Sequence, residues 1–151
     1  MKYAIFILHL GFAALVLSAG QSSARNVCMG SASTWDDCYR SVTDADGNKY
    51  VGTFKKGKFE GEGKYSEANG NVYTGTWKNG VFHGEGVRSF AAGSTYTGAY
   101  RDGLKHGAGT YVSPTGATYL GDFKNGKYDG RGVLTKANGA TYTGVWAFGK
   151  M

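Results

Sequence analysis

The chain has 151 residues with a formal net charge of +6, and 26 of its residues are glycine. This length is sufficient for one domain with its own core. The positive charge favours contact with anionic surfaces but carries no information about the fold. Glycine at this density argues against a helical protein.

The first segment, residues 1–24, is predicted to be a secretory signal peptide. A lysine near the start is followed by an apolar run over residues 4–19, and Ser22 and Ala24 occupy the −3 and −1 positions of a small-residue cleavage site. The run is slightly short for a membrane span, which needs about 20 residues. Gln21 stands where a lipid-anchored protein would carry cysteine. We therefore expect an exported protein that is either periplasmic or secreted. Association with the envelope surface is compatible with both locations.

The next segment, residues 25–49, is predicted to be an N-terminal cap that ends in a degenerate half-repeat. It holds the two cysteines of the chain, Cys28 and Cys38. Two cysteines in a short exported chain indicate one disulfide, which would contribute about 2–3 kcal/mol by closing a short loop. A metal site is disfavoured because no histidine lies nearby in the sequence.

The remaining sequence, residues 50–151, repeats every 23 residues without an insertion. Every unit opens with Tyr, any residue, Gly, any residue and an aromatic residue, and each complete unit continues with glycines at positions 8, 12, 14 and 21. Self-similarity at a fixed period indicates a repeat architecture. The units start at Tyr50, Tyr73, Tyr96 and Tyr119, with a partial fifth unit at Tyr142.

Each unit is predicted to form a β-hairpin. Tyr73, Gly75 and Trp77 alternate with two threonines, which places the three on one face of a strand. Asn79-Gly80 is a strong signal for a type I′ turn.

A two-residue turn also predicts which residues face each other and how the glycines are covered. Aromatic residues and glycines of both strands should share one face, so that tyrosine rings lie across bare backbone and exclude water. The fold class is therefore all-β, an elongated single-layer antiparallel meander of stacked 23-residue hairpins with about nine or ten strands. The expected pairs are Trp77 with Phe82, Gly75 with Gly84, and Tyr73 with Gly86.

This motif resembles the MORN (membrane occupation and recognition nexus) repeat over residues 50–151. The resemblance implies a sheet of stacked hairpins and a role as a scaffold or attachment module without catalysis. Members of that family are linked to membranes and phospholipids, or to homodimerisation and partner binding. One departure is Lys105, which stands where other units have Phe59, Phe82 or Tyr128 and should interrupt the aromatic face. The other is the predicted export, because of which the partners of cytosolic members are not carried over.

Polar residues at position 11 of the units are the candidates for metal binding or acid–base catalysis. His83 and His106 share this position with Glu60 and Asp129. Equivalent residues in adjacent hairpins lie two strands apart, roughly 10 Å, which is too far for one zinc ion. Glu60 and its neighbour Glu62 would need a cleft to act as a glycosidase pair. We therefore predict no catalytic residue, no metal site and no cofactor, with a glycan-active enzyme as the most distant alternative.

Basic residues concentrate at the hairpin tips, which project from one edge of a meander. The sequence places a single acid, Asp102, among them. Such an edge could bind phospholipid headgroups or other anions at about 1 kcal/mol per basic residue near an anionic membrane, or it could only keep the sheet soluble. The predicted basic residues are Lys55, Lys56, Lys58, Lys78, Arg101, Lys105, Lys124, Lys127 and Lys150.

The aromatic face is the second predicted site, either as plain core or as a groove for a peptide, a glycan or a second copy of the chain. The last strand has no predicted cover, which makes the C-terminal edge a candidate dimer contact. The predicted residues of this face are Tyr50, Phe54, Tyr73, Trp77, Phe82, Tyr96, Tyr100, Tyr119, Phe123, Tyr142 and Trp146.

The function predicted from the sequence is that of a non-enzymatic exported scaffold or binding module. Its partner would be an unknown protein or a second copy of the chain. The alternative is peripheral binding to an anionic lipid or envelope surface through the basic edge. Nucleic acid is not expected as a partner of an exported protein.

Overall fold

The computed structural model describes residues 26–150, which form one open 10-stranded antiparallel sheet whose strand order follows the chain. The predicted signal peptide lies outside these residues. A single 3-10 turn, Ala32–Thr34, precedes the sheet, and no helix in the described part is long and apolar enough to cross a membrane. The expected all-β meander of hairpins is confirmed.

The strands of each hairpin differ in length. The first strand of a complete unit has seven residues and the second has nine. The strands are β1 (Cys38–Thr43), β2 (Lys49–Lys55), β3 (Lys58–Ser66), β4 (Val72–Lys78), β5 (Val81–Ser89), β6 (Thr95–Arg101), β7 (Leu104–Val112), β8 (Thr118–Lys124), β9 (Lys127–Thr135) and β10 (Thr141–Trp146).

The hairpin tips are two-residue turns, as the Asn-Gly signal predicts. Asn79 and Gly80 have φ of 52° and 85°, the left-handed values that a type I′ turn requires at both central positions. The Gly80 N–H donates to the carbonyl oxygen of Phe59 at 2.9 Å. Gly103 makes the same bond to Phe82, so each tip is fastened to the hairpin before it.

The predicted register is correct at the tip and wrong beyond it. Trp77 pairs with Phe82, but the register then shifts by two residues, so that Gly75 pairs with Gly86 and Tyr73 with Arg88. The two additional residues of the longer strand form a bulge opposite Thr76. Bulges of this kind bend a strand and increase its twist.

The glycine of the bulge permits the shift. Gly84 has a φ of +63°, which an L side chain adopts only under strain. It pairs with Tyr100 of the following hairpin instead of with Gly75.

The core is a single layer of rings on one face of the sheet. The Tyr73 ring, 1% exposed, meets Trp77 of its own hairpin and Tyr100 of the next edge-on, each with ring centroids 5.2 Å apart. Its hydroxyl donates to the Thr76 carbonyl oxygen at 2.9 Å, which satisfies the one polar atom of the ring. Edge-to-face contacts of this type add about 0.5–1.5 kcal/mol each to the burial of the rings. The same arrangement recurs at Tyr50, Tyr96 and Tyr119.

The N-terminal segment lies against the first strand. Cys28 and Cys38 form a disulfide, and Val27 makes a parallel bridge with Tyr39 at the outer side of β1. Trp35, which the sequence did not single out, packs edge-on against Phe54 with ring centroids 4.8 Å apart. The outer edge of β1 is thus partly covered.

Candidate binding surfaces

The tips of the hairpins lie along one long edge of the sheet, because consecutive strands are neighbours throughout. Eight of the nine predicted basic residues are exposed there, and Lys105 is the exception. Lysines face each other across two tips: Lys55 pairs with Lys58 and Lys124 with Lys127. Opposed like charges are destabilising in a sheet.

Acidic groups from the N-terminal segment reach the first tip, which the sequence spacing did not reveal. The Lys55 ammonium lies 3.7 Å from a carboxylate oxygen of Asp37. The Lys56 N–H donates to Asp36 Oδ1 at 3.1 Å. The net positive charge of this part of the edge is therefore smaller than the count of lysines suggests.

The acidic residues at position 11 contact the tip of the following hairpin. Glu60 Oε2 accepts the Asn79 N–H at 2.8 Å, and Asp129 Oδ2 accepts the Phe148 N–H at 3.4 Å. Because these donors lie in turns that leave backbone N–H groups unpaired, the carboxylates act as caps. This structural contact lowers the net charge of the edge further.

The candidates for catalysis are separated or engaged in similar contacts. Glu62 Oε1 accepts the Thr76 hydroxyl at 2.9 Å, while Glu60 caps Asn79. His83 Nδ1 lies 3.9 Å from Asp102, and His106 Nε2 lies 3.3 Å from the Arg101 guanidinium. Within residues 26–150, no group of three or more His, Cys, Asp or Glu is placed to hold a metal ion.

Most residues predicted for the aromatic face are core. Phe82 is half-buried and Tyr142 is 38% exposed, whereas the others are buried. The rings that remain accessible form a second row, which includes Phe59, Phe82 and Tyr128 at position 10 together with Tyr65 and Tyr111 at position 16. Position 16 is tyrosine in the first and third units, Arg88 in the second and Leu134 in the fourth, and large side chains at one fixed position of the repeat could have revealed the row.

The position-10 rings stack flat on the buried tyrosines. Ring centroids are 3.7 Å apart for Tyr50 and Phe59 and 3.9 Å apart for Tyr73 and Phe82. A cavity of about 290 Å³ opens over this stacked layer, lined by Phe59, Tyr65, Trp77 and Phe82 among others.

Arg88 lies among the accessible rings, and its positive charge is paired with the carboxylate of Glu67. Its guanidinium lies 2.7 Å from Glu67 Oε1 and over the rings of Phe82 and Phe90, at 5.3 and 4.9 Å from their centroids. Burial raises the pKa of the Glu67 carboxyl, but hydrogen bonds from Asn71 and Asn69 and the charge of Arg88 outweigh it and hold that pKa below its ordinary value.

Lys105 was expected to interrupt the ring layer, and it does so with its ammonium turned inward. It pairs with the buried Tyr100 across the hairpin, and its ammonium lies 5.2 Å from the Tyr96 ring centroid. Assigning Lys105 to the basic edge was therefore wrong, because its side chain lies on the aromatic face. Burial lowers the pKa of its ammonium, and the charge of Arg88 acts in the same direction.

The C-terminal edge and the reverse face of the sheet expose apolar side chains. β10 pairs with β9, and its Tyr142 and Val145 are 38% and 67% exposed. Leu120, 61% exposed, lies opposite Val133 on the reverse face. That face is less polar than its threonines and acids predict.

Comparison with protein families gives a match to the repeat units. A protein-family model described as MORN repeat matches four consecutive units, residues 50–72, 73–95, 96–118 and 119–141. These boundaries coincide with the four complete units found in the sequence, and the partial unit at Tyr142 lies beyond them. A search of curated proteins found no match.

Proposed function

The chain belongs to the MORN repeat family, and from this membership we propose that it is an exported, non-enzymatic scaffold whose aromatic face attaches a protein segment or a second copy of the chain. Repeats of this family generally mediate binding to proteins or to membrane lipids.

The observation that carries the proposal is the second row of rings. Phe59, Phe82 and Tyr128 are half-buried and lie on a fully buried layer that fixes their orientation. Aromatic residues held rigidly at a surface are enriched at protein interfaces, where they bury large areas with little loss of conformational entropy. A cavity of about 290 Å³ beside Phe82 offers a place for an apolar anchor of the partner.

Photo-crosslinking tests this surface. A benzoylphenylalanine at position 82 should form adducts in envelope extracts or with a second copy of the chain. The same probe at Leu120, which is exposed on the reverse face, is the matched control and should form none of those adducts. Equal adducts from both positions, or none from position 82, would contradict attachment through the aromatic face.

Self-association through the open C-terminal edge is a different route from attachment through the aromatic face, and it has its own measurement. If the open C-terminal edge pairs with a second copy, sedimentation equilibrium should show a dimer that Val145→Lys weakens. A monomer at all accessible concentrations would leave attachment to another protein as the function.

Peripheral binding to an anionic surface is the second candidate, favoured by the eight exposed basic residues along the tip edge. Replacing Lys55, Lys78, Lys124 and Lys127 with glutamine should abolish sedimentation with vesicles that contain anionic lipid. Wild-type binding should weaken steeply as salt rises, because exposed charges are screened. Vesicle binding that survives the four substitutions would eliminate this candidate. The acids that contact the tips, Asp37 and Glu60 among them, make it the weaker of the two.

Export is part of the proposal and is supported by the disulfide, since disulfides persist in oxidising compartments. Cell fractionation and N-terminal sequencing of the mature chain test it. An intact Met1 on a cytosolic protein would contradict export without affecting the proposed attachment.

A further inference from the structure

In the layer of stacked rings the third hairpin differs from the other complete units at position 10, and a larger cavity lies beside this position. In the other three units a ring at position 10 stacks on the buried tyrosine, as Tyr128 does on Tyr119 with centroids 3.7 Å apart. In the third unit Lys105 takes the place of that ring over Tyr96. The cavity beside it is about 550 Å³, within the range of ligand pockets.

The Lys105 ammonium is surrounded by rings. It lies 4.8 Å from the Tyr111 ring centroid and 5.2, 5.8 and 6.0 Å from those of Tyr96, Phe123 and Phe90. Ring faces attract a cation, but they do not replace the three strong hydrogen bonds that an ammonium donates in water. The half-buried Lys105 ammonium therefore retains unused donors.

No negative charge in the described part of the chain pairs with this ammonium. Within residues 26–150, Lys105 Nζ has no hydrogen bond and no ion pair. Glu67, the acid of this face, is held by Arg88 at 2.7 Å. Burial lowers the pKa of the Lys105 ammonium, and the charge of Arg88, although paired with Glu67, acts in the same direction. An anion that entered the cavity would supply the negatively charged partner that the Lys105 ammonium lacks.

The walls of the cavity restrict which anion fits. Phe90, Tyr111 and Tyr128 present ring surfaces, Ser94 is the buried polar residue at the wall, and the exposed Lys127 stands at the rim. A phosphate dianion would lose much hydration against such walls for one half-buried ammonium. A carboxylate carries a single charge, and a flat apolar body attached to it could pack on the rings.

We propose that the cavity around Lys105 is a binding site for a small organic carboxylate with a flat apolar body, whose carboxylate accepts hydrogen bonds from the Lys105 ammonium while its body packs between Phe90, Tyr111 and Tyr128. This site does not depend on the proposed attachment of a protein.

Titration with benzoate, followed by backbone amide NMR, tests the proposal. Benzoate should shift the amides of Gly126 and Tyr111 saturably at millimolar concentration. Benzamide, the neutral isostere, should bind at least about tenfold more weakly, because a hydrogen bond to a charged group is worth about 1.5–3 kcal/mol. Inorganic phosphate and cyclohexanecarboxylate should also bind more weakly than benzoate.

Substitutions assign the interaction to Lys105. Lys105→Met keeps the length of the side chain and should weaken benzoate binding at least about tenfold. Lys64→Gln removes an exposed lysine that does not line the cavity and should leave binding unchanged. Lys105→Phe restores the ring of the other units and should fill the cavity, so it provides a second test if the Met variant folds poorly.

Three outcomes would overturn the proposal. They are equal binding of benzamide and benzoate, benzoate binding that survives both Lys105 substitutions, and an absence of saturable shifts at millimolar benzoate.

Discussion

The Tyr73 ring covers Gly86 so closely that a methyl group at position 86 would lie 2.5 Å from the tyrosine hydroxyl oxygen. The same hydroxyl is fixed by its hydrogen bond to the Thr76 carbonyl, so the ring cannot retreat without losing that bond. Glycine at this position is therefore required by the ring above it, since the φ of Gly86 is not in the left-handed region.

We predict that Gly86→Ala lowers the free energy of unfolding by at least about 2 kcal/mol, as overpacking of a fixed core does. Gly80→Ala is the control, because its φ of +85° is strained for alanine but nothing lies within 4 Å of the added methyl group. Gly80→Ala should lower the free energy of unfolding by about 1 kcal/mol. Urea denaturation measures both, and equal losses would show that the Tyr73 ring imposes no steric limit.

The buried tyrosines predict unfolding at alkaline pH. Burial raises the pKa of Tyr100 to about 12 and that of Tyr50, Tyr73 and Tyr96 further. Above the ordinary tyrosine pKa of 10.0, the unfolded chain releases protons that the folded chain retains, so stability falls as pH rises. The lowered pKa of Lys105 makes stability rise with pH instead, but this single group is outweighed by the several tyrosines.

The measurement is circular dichroism against pH, together with the absorbance of tyrosinate. Both should change together and cooperatively above about pH 10. Tyrosinate that forms gradually near the ordinary pKa, while the sheet signal persists, would contradict the burial of the hydroxyls.

Local sequence rules predicted the hairpins, the tips and the shared face of Tyr73 and Trp77, because strand alternation and turn chemistry act over a few residues. They failed for the pairing of Gly75. A glycine such as Gly84 fits a regular strand as well as a bulge, and only the packing of the next hairpin selects between them.

Of the two predictions for Lys105, the interruption of the aromatic face was correct, and the assignment to the basic edge failed for a related reason. Proximity to the turn placed Lys105 among the exposed lysines, whereas pairing with Tyr100 directs its side chain to the aromatic face. The contacts of Trp35 and Asp37 with the first hairpin could not be predicted either. They depend on how the N-terminal segment lies against the first hairpin, and no local sequence pattern predicts that placement.

The cap that Glu60 provides predicts a difference between two substitutions. Glu60→Gln keeps an oxygen that can accept the Asn79 N–H and should change the free energy of unfolding little. Glu60→Ala removes the acceptor and should lower it by about 1 kcal/mol, as loss of a helix cap does. Thermal unfolding of the two variants compares them, and the Glu85→Ala variant serves as a reference for the loss of an exposed carboxylate. Equal midpoints for the Gln and Ala variants would show that the bond to Asn79 adds nothing.

Removal of the disulfide tests how much the N-terminal segment stabilises the first strand. Replacing both Cys28 and Cys38 with serine should lower the free energy of unfolding by about 2–3 kcal/mol, because the unfolded chain gains the entropy of an open loop. The segment also holds the first tip, since the Gly57 N–H donates to the Trp35 carbonyl oxygen at 2.8 Å. Hydrogen exchange should therefore accelerate in β1 and at Gly57 more than in β6.

Reductant provides the control for the disulfide. Reduced wild-type protein should match the double serine variant, and the variant itself should not respond to reductant. Uniform acceleration across all ten strands would mean that the disulfide stabilises the sheet as a whole. An unchanged free energy of unfolding would mean that the contacts of Trp35 with Phe54 and Gly57 hold the segment without it.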